Sequence, residues 1–225
     1  MTSKDIIFEK ARTTAIIYPK CEIAPNVMIG DFSIIGKSSR PINNRMRSKT
    51  MLKETVIQDN CFIGSYVTIG EGTIIEKNTT IEDYGVIEDN VKIGSSSYIV
   101  HGARVCGKSV IENNCVIGGF IAERSNVGPH SRVFGMLIHK QDDPSKNWDS
   151  LEEEAPHLEC KVIVGMGAQV IGGVHVGNHV YICSGAVVTK DVPSFHVVLG
   201  VNKIVPISEW KGNLKNSLFF GGSHD

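Results

Sequence analysis

The sequence is short of the features that mark membrane and secreted proteins. Aromatic residues make up 7% of its 225 residues, so a core has to be built mainly from aliphatic side chains. No apolar run approaches the length of about 18 residues that a transmembrane helix needs. The amino terminus, MTSKDIIFEKARTT, lacks the apolar centre of a signal peptide. We therefore expect a cytoplasmic protein without a membrane span.

The sequence has almost no net charge, because it contains 23 Lys and Arg residues and 24 Asp and Glu residues. Proteins that bind nucleic acids usually carry a clear basic excess, so we expect no nucleic-acid partner. The six cysteines form no CxxC pair and no zinc-type cluster. We expect neither disulfides nor a metal site, and interpret the cysteines as packing residues.

A six-residue period dominates the middle of the chain. Its eleven consecutive aliphatic members are Ile57, Ile63, Ile69, Ile75, Ile81, Ile87, Ile93, Ile99, Val105, Ile111 and Ile117. A helical stripe would need apolar residues three and four positions apart, and a simple strand alternates at two. The period therefore predicts a repeat protein built from six-residue units.

Two further columns are constrained. The residue after each aliphatic is mostly Gly or Glu, and the residue two before it is mostly small. This pattern resembles the hexapeptide repeat of left-handed β-helices, [LIV]-[GAED]-x-x-[STAV]-x. The resemblance implies an all-β fold, a left-handed parallel β-helix whose triangular coils take about 18 residues each.

The period fails at two places, where we expect excursions from the coil. Residues 37–55 are basic, and they are interpreted as solvated, as pairing with acidic groups of a neighbouring subunit, or as contacting a phosphate. Residues 135–160 are acidic, and a long loop inside a compact repeat is often functional. We expect one β-helix domain over residues 1–203, then a short helical cap and tail over residues 204–225.

Residues 164–193, VGMGAQVIGGVHVGNHVYICSGAVVTKDVP, resemble the carboxy-terminal signature of hexapeptide acyltransferases, IGxGAxIxxGVxIGxxxxIGAGAVVTKDVP. In that superfamily a Gly-x-Pro-Ala-Lys turn follows, whereas residues 200–203 here read Gly-Val-Asn-Lys and lack the proline. Serine, maltose, galactoside, chloramphenicol-type and nucleotide-amino-sugar acetyltransferases share this ending, so it leaves the acceptor open.

The resemblance implies a homotrimer with active sites between subunits, acetyl-CoA as co-substrate and no metal. By motif position, backbone amides around Gly185 and Ala186 would hold the pantetheine arm. Lys190 and Lys203 would meet the nucleotide phosphates, although Lys190 is equally well explained as an exposed lysine at the coil edge.

Attack of an amine or hydroxyl on a thioester needs a base, and histidine suits neutral pH. Many members of the superfamily carry this histidine on a loop before the final repeats, followed closely by Asp and Pro. Residues 138–144, IHKQDDP, resemble that element and make His139 the predicted general base. His130 and His101 are alternatives, and a surface histidine without a role also remains open.

The predicted function is transfer of an acetyl or other acyl group from coenzyme A to a small polar acceptor by direct attack. A nucleotide-linked amino sugar is the first acceptor considered, and a hydroxyl acceptor is second. One alternative is a metalloenzyme resembling γ-class carbonic anhydrases, with ligands among His101, His130, His175 and His179. The spacing of His175 and His179 departs from the HxxxxH of that family. A non-catalytic scaffold is the other alternative.

Overall fold

A computed structural model describes residues 14–38, 53–140 and 153–212. Over these residues the chain forms a left-handed parallel β-helix, which confirms the fold class predicted from the repeats. No helix in the described part of the chain has the length and apolar character needed to cross a bilayer.

The strands before the first excursion are β1 (Ile16–Ile17), β2 (Cys21–Ile23), β3 (Met28–Ile29) and β4 (Ile34–Lys37). Those between the excursions are β5 (Thr55–Ile57), β6 (Phe62–Ile63), β7 (Thr68–Gly70), β8 (Ile74–Ile75), β9 (Thr80–Ile81), β10 (Val86–Ile87), β11 (Lys92–Ile93), β12 (Tyr98–Ile99), β13 (Arg104–Val105), β14 (Val110–Ile111), β15 (Val116–Ile117), β16 (Phe120–Ile121), β17 (Asn126–Val127), β18 (Arg132–Val133) and β19 (Met136–Ile138). Those after the second excursion are β20 (His157–Leu158), β21 (Ile163–Val164), β22 (Gln169–Ile171), β23 (His175–Val176), β24 (Tyr181–Ile182), β25 (Val187–Val188), β26 (His196–Leu199) and β27 (Lys203–Pro206).

Successive strands fall on three faces of a triangular prism, and one coil takes a strand from each face. The first face stacks β1, β4, β7, β10, β13, β16, β19, β22 and β25. The second face stacks β2, β5, β8, β11, β14, β17, β20 and β23. The third face stacks β3, β6, β9, β12, β15, β18, β21, β24, β26 and β27. We call the edge between the first and second faces the first corner. The edge between the second and third faces is the second corner, and the remaining edge is the third corner.

The repeat columns explain the core. The aliphatic column points inward, and its members from Ile35 to Val188 are at most 1% exposed. Small residues at the second inward position hold hydroxyls that donate to a carbonyl on the next coil, as Thr73 Oγ1 does to Glu88 O at 2.7 Å. Cys115 takes the same role, with its Sγ 3.3 Å from Gly128 O. Most buried hydroxyls of this column are thereby satisfied, whereas Ser125 Oγ has no hydrogen-bond partner among the described residues.

The period is also shortened after Ile117, at two third corners. Ile117 is followed by Ile121 on the first face, and Val133 by Leu137, so each corner has two residues fewer than the regular spacing. Gly119 and Gly135 make these tight turns, and a Cβ on Gly119 would overlap the carbonyl oxygen of Gly135. Glycine is needed here for backbone approach rather than for an unusual φ.

Both excursions leave the coil at the first corner, one after β4 and one after β19. The second is shorter than the predicted 135–160, because Leu137 and Leu158 lie within that range and are both fully buried in the core. Their strands extend the coil from each side. Residues 39–52 and 141–152 lie outside the described residues, as do the interpretations that rest on them.

Up to residue 212, the carboxy-terminal region consists of a reversed strand and a single short 3-10 helix. Strands β26 and β27 pair antiparallel, so the predicted boundary after residue 203 falls inside β27. One 3-10 turn follows at Ile207–Glu209. A reversed strand lets the last backbone groups of the third face pair within the chain instead of leaving an open edge. Residues 213–225 lie outside the described residues.

Candidate functional site

The three histidines proposed as bases lie at three different corners of the prism. His139 directly follows β19 at the first corner, His130 lies between β17 and β18 at the second, and His101 lies between β12 and β13 at the third. One face of the prism therefore separates each pair within a chain. The structure does not gather them into one site.

His139 is the most enclosed of the three, with a side chain that is 10% exposed. Its Nε2 lies 2.7 Å from the backbone oxygen of Glu123, and its Nδ1 lies 3.2 Å from Oε2 of Glu153. Glu123 belongs to the corner directly below, and Glu153 is the first described residue after the second excursion. His139 therefore links the coil to the returning end of that excursion.

Both neighbours of the His139 ring are hydrogen-bond acceptors. A neutral imidazole has only one N–H, so it can donate to only one of them. A carboxylate beside a histidine base orients the ring and stabilises the positive charge that develops on it. Glu153 can fill that role through Nδ1. The backbone oxygen of Glu123 contacts Nε2, which is the nitrogen that a base would have to turn towards its substrate.

Two basic residues support this corner. Arg124 Nη2 donates to the backbone oxygen of Glu153 at 3.1 Å, which holds the returning chain against the coil. Lys108 Nζ lies 2.8 Å from Oε1 of Glu123. The partners of His139 are thus themselves tied down. Sequence reasoning missed Glu123 and Glu153 because they are separated from His139 by 16 and 14 positions and by an excursion.

The other two histidines are exposed. His130 adopts a φ of 61° at its corner, and its backbone N–H donates to Asn113 O at 3.0 Å. The His101 ring packs edge-on against Tyr84, with ring centroids 5.3 Å apart. Its backbone N–H donates to Oε2 of Glu82 at 2.7 Å. A hydrogen bond from the Tyr98 hydroxyl, followed by this backbone contact, lowers the pKa of Glu82.

The predicted pantetheine residues lie at the third corner. Gly185 has a φ of 71°, and a Cβ at this position would have no atom within 4 Å. Its backbone N–H donates to Met166 O at 3.0 Å, and that of Ala186 donates to Cys183 O at 3.0 Å. Both amides therefore already have partners within the chain. The space beside Gly185 is open, and the assignment of these two residues to the pantetheine arm stays a prediction.

The predicted phosphate-binding lysines are exposed and are connected through their neighbours. Lys190 follows Thr189 and Lys203 follows Asn202. Oδ1 of Asn202 accepts from the backbone N–H of Thr189 at 2.8 Å, and Nδ2 of Asn202 donates to Thr189 Oγ1 at 2.8 Å. This pair of hydrogen bonds brings two distant segments together. The missing proline of the terminal motif was the available signal that residue 202 has a different role.

His139 and Lys190 occupy equivalent positions along the first corner. Leu137 pairs in register with Val170, and Val170 pairs with Val188. The residues two positions further on are His139, Gly172 and Lys190, each on a successive coil. Since neighbouring strands lie about 4.8 Å apart, His139 and Lys190 are two rungs and about 10 Å apart along the edge. Gly172 carries no side chain between them.

The histidines considered for a carbonic-anhydrase-like centre do not converge within the chain. His130 and His179 occupy equivalent positions two coils apart at the second corner, with Lys161 between them, whereas His101 lies at the third corner. His175 lies on the second face, in β23. The metal-ligand arrangement that this alternative requires is therefore not present within one copy of the described residues.

Comparison with known families supports the repeat assignment. A family model described as "Bacterial transferase hexapeptide (six repeats)" matches residues 155–190. A second model, described as "GMPPB C-terminal domain", matches residues 10–115.

Individual relatives extend the similarity over most of the chain. The bifunctional protein GlmU of Thermotoga maritima is 25% identical over 200 residues, which cover 87% of this chain and 40% of that protein. The serine acetyltransferase of Synechococcus elongatus is 46% identical over 46 residues, which cover 20% of this chain and 19% of that protein. The chain therefore spans well under half the length of these relatives.

A solved structure shows the same fold. The UDP-N-acetylglucosamine acyltransferase of Francisella novicida superposes with a TM-score of 0.65 at 24% sequence identity. The superposition covers 84% of this chain and 66% of that chain.

Proposed function

The chain belongs to the hexapeptide-repeat acyltransferase superfamily, and we propose that it transfers an acyl group from a coenzyme A thioester to an amine or hydroxyl of a small polar acceptor. Acetyl-CoA is the donor to be tested first, and the amino group of a nucleotide-linked sugar is the acceptor to be tested first. A hydroxyl acceptor is the second choice.

The alignment of His139, Gly172 and Lys190 along the first corner carries this proposal. Coenzyme A joins a phosphate-bearing nucleotide to a long arm that ends in the thioester. Phosphate groups held at Lys190 would direct the arm along the edge towards His139, past the side chain of Lys140, which lies beside Gly172. A cation for phosphate and a candidate base then follow one another in the order that the donor requires.

The proposed reaction has one displacement and no covalent enzyme intermediate. His139 removes a proton from the attacking amine or hydroxyl, which bonds to the thioester carbonyl carbon. The carbon–sulfur bond breaks, and the leaving thiolate takes the proton back from the imidazolium to give free coenzyme A. Glu153 stabilises the imidazolium in between. His139 has to release Glu123 O before it can accept the proton, while Nδ1 keeps its contact with Glu153.

A homotrimer with active sites between subunits accounts for the separation of the predicted donor-binding residues. Gly185 and Ala186 lie at the third corner, whereas His139 and Lys190 lie at the first, on the opposite edge of the first face. A neighbouring copy could supply one corner to the other. Sedimentation equilibrium of the full chain tests this assembly, and a monomeric active enzyme would contradict it.

The decisive experiment compares His139→Asn with His196→Asn, which changes a histidine of β26 on the third face. Released coenzyme A is measured by chromatography, with acetyl-CoA as donor and a panel of amino-sugar nucleotides and hydroxyl acceptors. We expect kcat to fall about 100-fold to 10,000-fold for His139→Asn with little change in the KM for acetyl-CoA. The His196→Asn control keeps the wild-type rate.

An undiminished rate for His139→Asn removes that residue from the mechanism. A wild-type chain that is folded but does not bind acetyl-CoA contradicts acyl transfer altogether and favours the scaffold alternative. Glu153→Gln supplies a further readout. If Glu153 orients His139 and stabilises its imidazolium, this change shifts the pH profile of kcat, whereas loss of a merely structural contact leaves the profile unchanged.

A further inference from the structure

Three side chains that can bind metals meet on the outer surface of the second face. His157 and His175 are Cα partners on β20 and β23, and their rings stack with centroids 5.3 Å apart and planes 10° apart. Oε1 of Glu159 lies 3.4 Å from Nε2 of His157 and 3.0 Å from Nε2 of His175. One ligand atom from each of the three lies within 4.8 Å of the others.

The two separations from Oε1 of Glu159 are close to the spacing of ligand atoms around a small divalent metal ion. Zinc binds imidazole nitrogen and carboxylate oxygen at about 2.0–2.2 Å, so two ligands of a tetrahedral site stand about 3.4 Å apart. Two imidazoles and one carboxylate also form the ligand set of many sites with open coordination positions. We propose that His157, Glu159 and His175 bind one divalent transition-metal ion of the zinc or cobalt class per chain.

The cluster has the access that such a site needs. The three side chains are between 40% and 52% exposed, which leaves a path for the ion and room for water ligands.

The neighbouring rungs supply polar atoms that can support metal-bound histidines. On one side Asn126, the Cα partner of His157, has a buried Oδ1 without a hydrogen-bond partner among the described residues. On the other side Oδ1 of Asp191 accepts the backbone N–H of His175 at 2.8 Å. Polar atoms of this kind fix the orientation of a ligating histidine when its second ring N–H reaches them.

The position of the cluster suggests what the ion does. His157 is the first strand residue after the second excursion, and Pro156 just before it accepts a hydrogen bond from Asn126. A metal shared by His157 and His175 would tie the returning chain to the next coil. Glu153, the partner of His139, lies in this returning segment, so the ion would also stabilise the surroundings of the proposed base.

The test uses the untagged full chain after removal of metal with a chelator. Titration with Zn²⁺ is followed by calorimetry, and titration with Co²⁺ is followed by visible absorption, which reports four-coordinate ligation. We expect one ion per chain, with an affinity that falls at least tenfold in each of His157→Ala, His175→Ala and Glu159→Gln. The control His101→Asn keeps the wild-type affinity, because that residue lies at another corner. Added Zn²⁺ raises the melting temperature of the wild type and not of the three variants.

Circular dichroism of the metal-free proteins establishes that the variants are folded, and Glu159→Gln preserves the shape of its side chain. Absence of stoichiometric Zn²⁺ and Co²⁺ binding by the wild type overturns the proposal. Unchanged affinity in the three variants overturns it as well, since the ion would then be bound elsewhere. Loss of affinity in His101→Asn alone would do the same.

Discussion

The side chain of Asn202 closes the last coil by holding Thr189 with two hydrogen bonds, one to its backbone N–H and one to its hydroxyl, each 2.8 Å long. Asn202 has a φ of 50°, which the proline of the family motif cannot adopt because its ring holds φ near −65°. The departure from the motif is therefore a different way of fastening the same turn. Lys190 and Lys203, each adjacent to one member of the pair, depend on it for their relative position.

We expect Asn202→Ala to lower the free energy of unfolding by about 2–3 kcal/mol. Two hydrogen bonds contribute about 1 kcal/mol each, and a left-handed backbone costs alanine about 1 kcal/mol more than asparagine. Asn202→Gly loses the hydrogen bonds without the backbone strain, so it should fall between Asn202→Ala and the wild type. Urea unfolding measures all three, and an Asn202→Ala protein as stable as the wild type would contradict the fastening role.

Lys190→Ala and Lys203→Ala should each weaken acetyl-CoA binding about tenfold, because a hydrogen bond to a charged group contributes about 1.5 kcal/mol or more. Added salt should weaken acetyl-CoA binding to the wild type more than to a variant in which both lysines are replaced by alanine. Calorimetry at two ionic strengths measures both effects. Lys77→Ala, at an exposed residue of the second corner, is the matched control and should bind as the wild type does. Equal affinities for all of these proteins would remove the two lysines from the donor site.

Gly119→Ala and Gly102→Ala form a matched pair at the third corner. The new Cβ at residue 119 overlaps the carbonyl oxygen of Gly135, so two coils have to move apart, at an expected cost of about 3 kcal/mol or more. The Cβ at residue 102 meets no atom within 4 Å and only strains a φ of 70°, which costs about 1 kcal/mol. Urea unfolding of both proteins distinguishes the cost of a steric overlap from the cost of backbone strain. Similar decreases in the free energy of unfolding for the two variants would contradict the tight turn at Gly119.

The buried thiols should make stability fall at alkaline pH. Burial raises the pKa of Cys115 from its ordinary value of 9.0 to about 11, and that of Cys106 to about 12. Because the folded pKa is the higher one, the folded chain retains protons that the unfolded chain loses. The stabilising contribution is complete below pH 9.0 and is lost progressively as the pH rises towards 11.

Cys115→Ser fits the small inward column, which already contains buried serines, and should reduce this slope by up to about 1.4 kcal/mol per pH unit. Urea unfolding of both proteins between pH 8 and pH 11 under reducing conditions gives the comparison. Tyrosines and lysines titrate equally in the two, so their effects cancel. Identical pH profiles for the variant and the wild type would exclude Cys115 as the source.

Local repetition made much of the architecture predictable. The inward position of Ile93 follows from the six-residue period alone, as does the burial of Cys61 and Cys115 in the small column. Corner asparagines follow from the same repeat, because asparagine tolerates positive φ, and Asn60 and Asn78 have values of 57° and 60°. These features depend on neighbours in the chain and on one repeated stacking relationship, so a single sequence can reveal them.

The candidate site could be predicted only in part, because it depends on residues that are distant in the chain. His139 could be singled out by its motif, but its neighbours Glu123 and Glu153 are brought to it by stacking across an irregular corner and an excursion. Each insertion or deletion changes which residues share a corner. The second excursion therefore had to be located before Lys190 could be aligned with His139.

The sequence by itself determined the repeating unit, the inward column and the type of fold, because each hexad satisfies the same local packing and turn requirements. Only the tertiary structure decided which side chains meet along an edge. It separated His101, His130 and His139 onto three corners, aligned His139 with Lys190 through Gly172, and joined His157 to His175 across neighbouring coils. The physical reason is that a corner is shared by residues that backbone pairing brings into register. The register between two residues depends on every irregularity of the chain that lies between them.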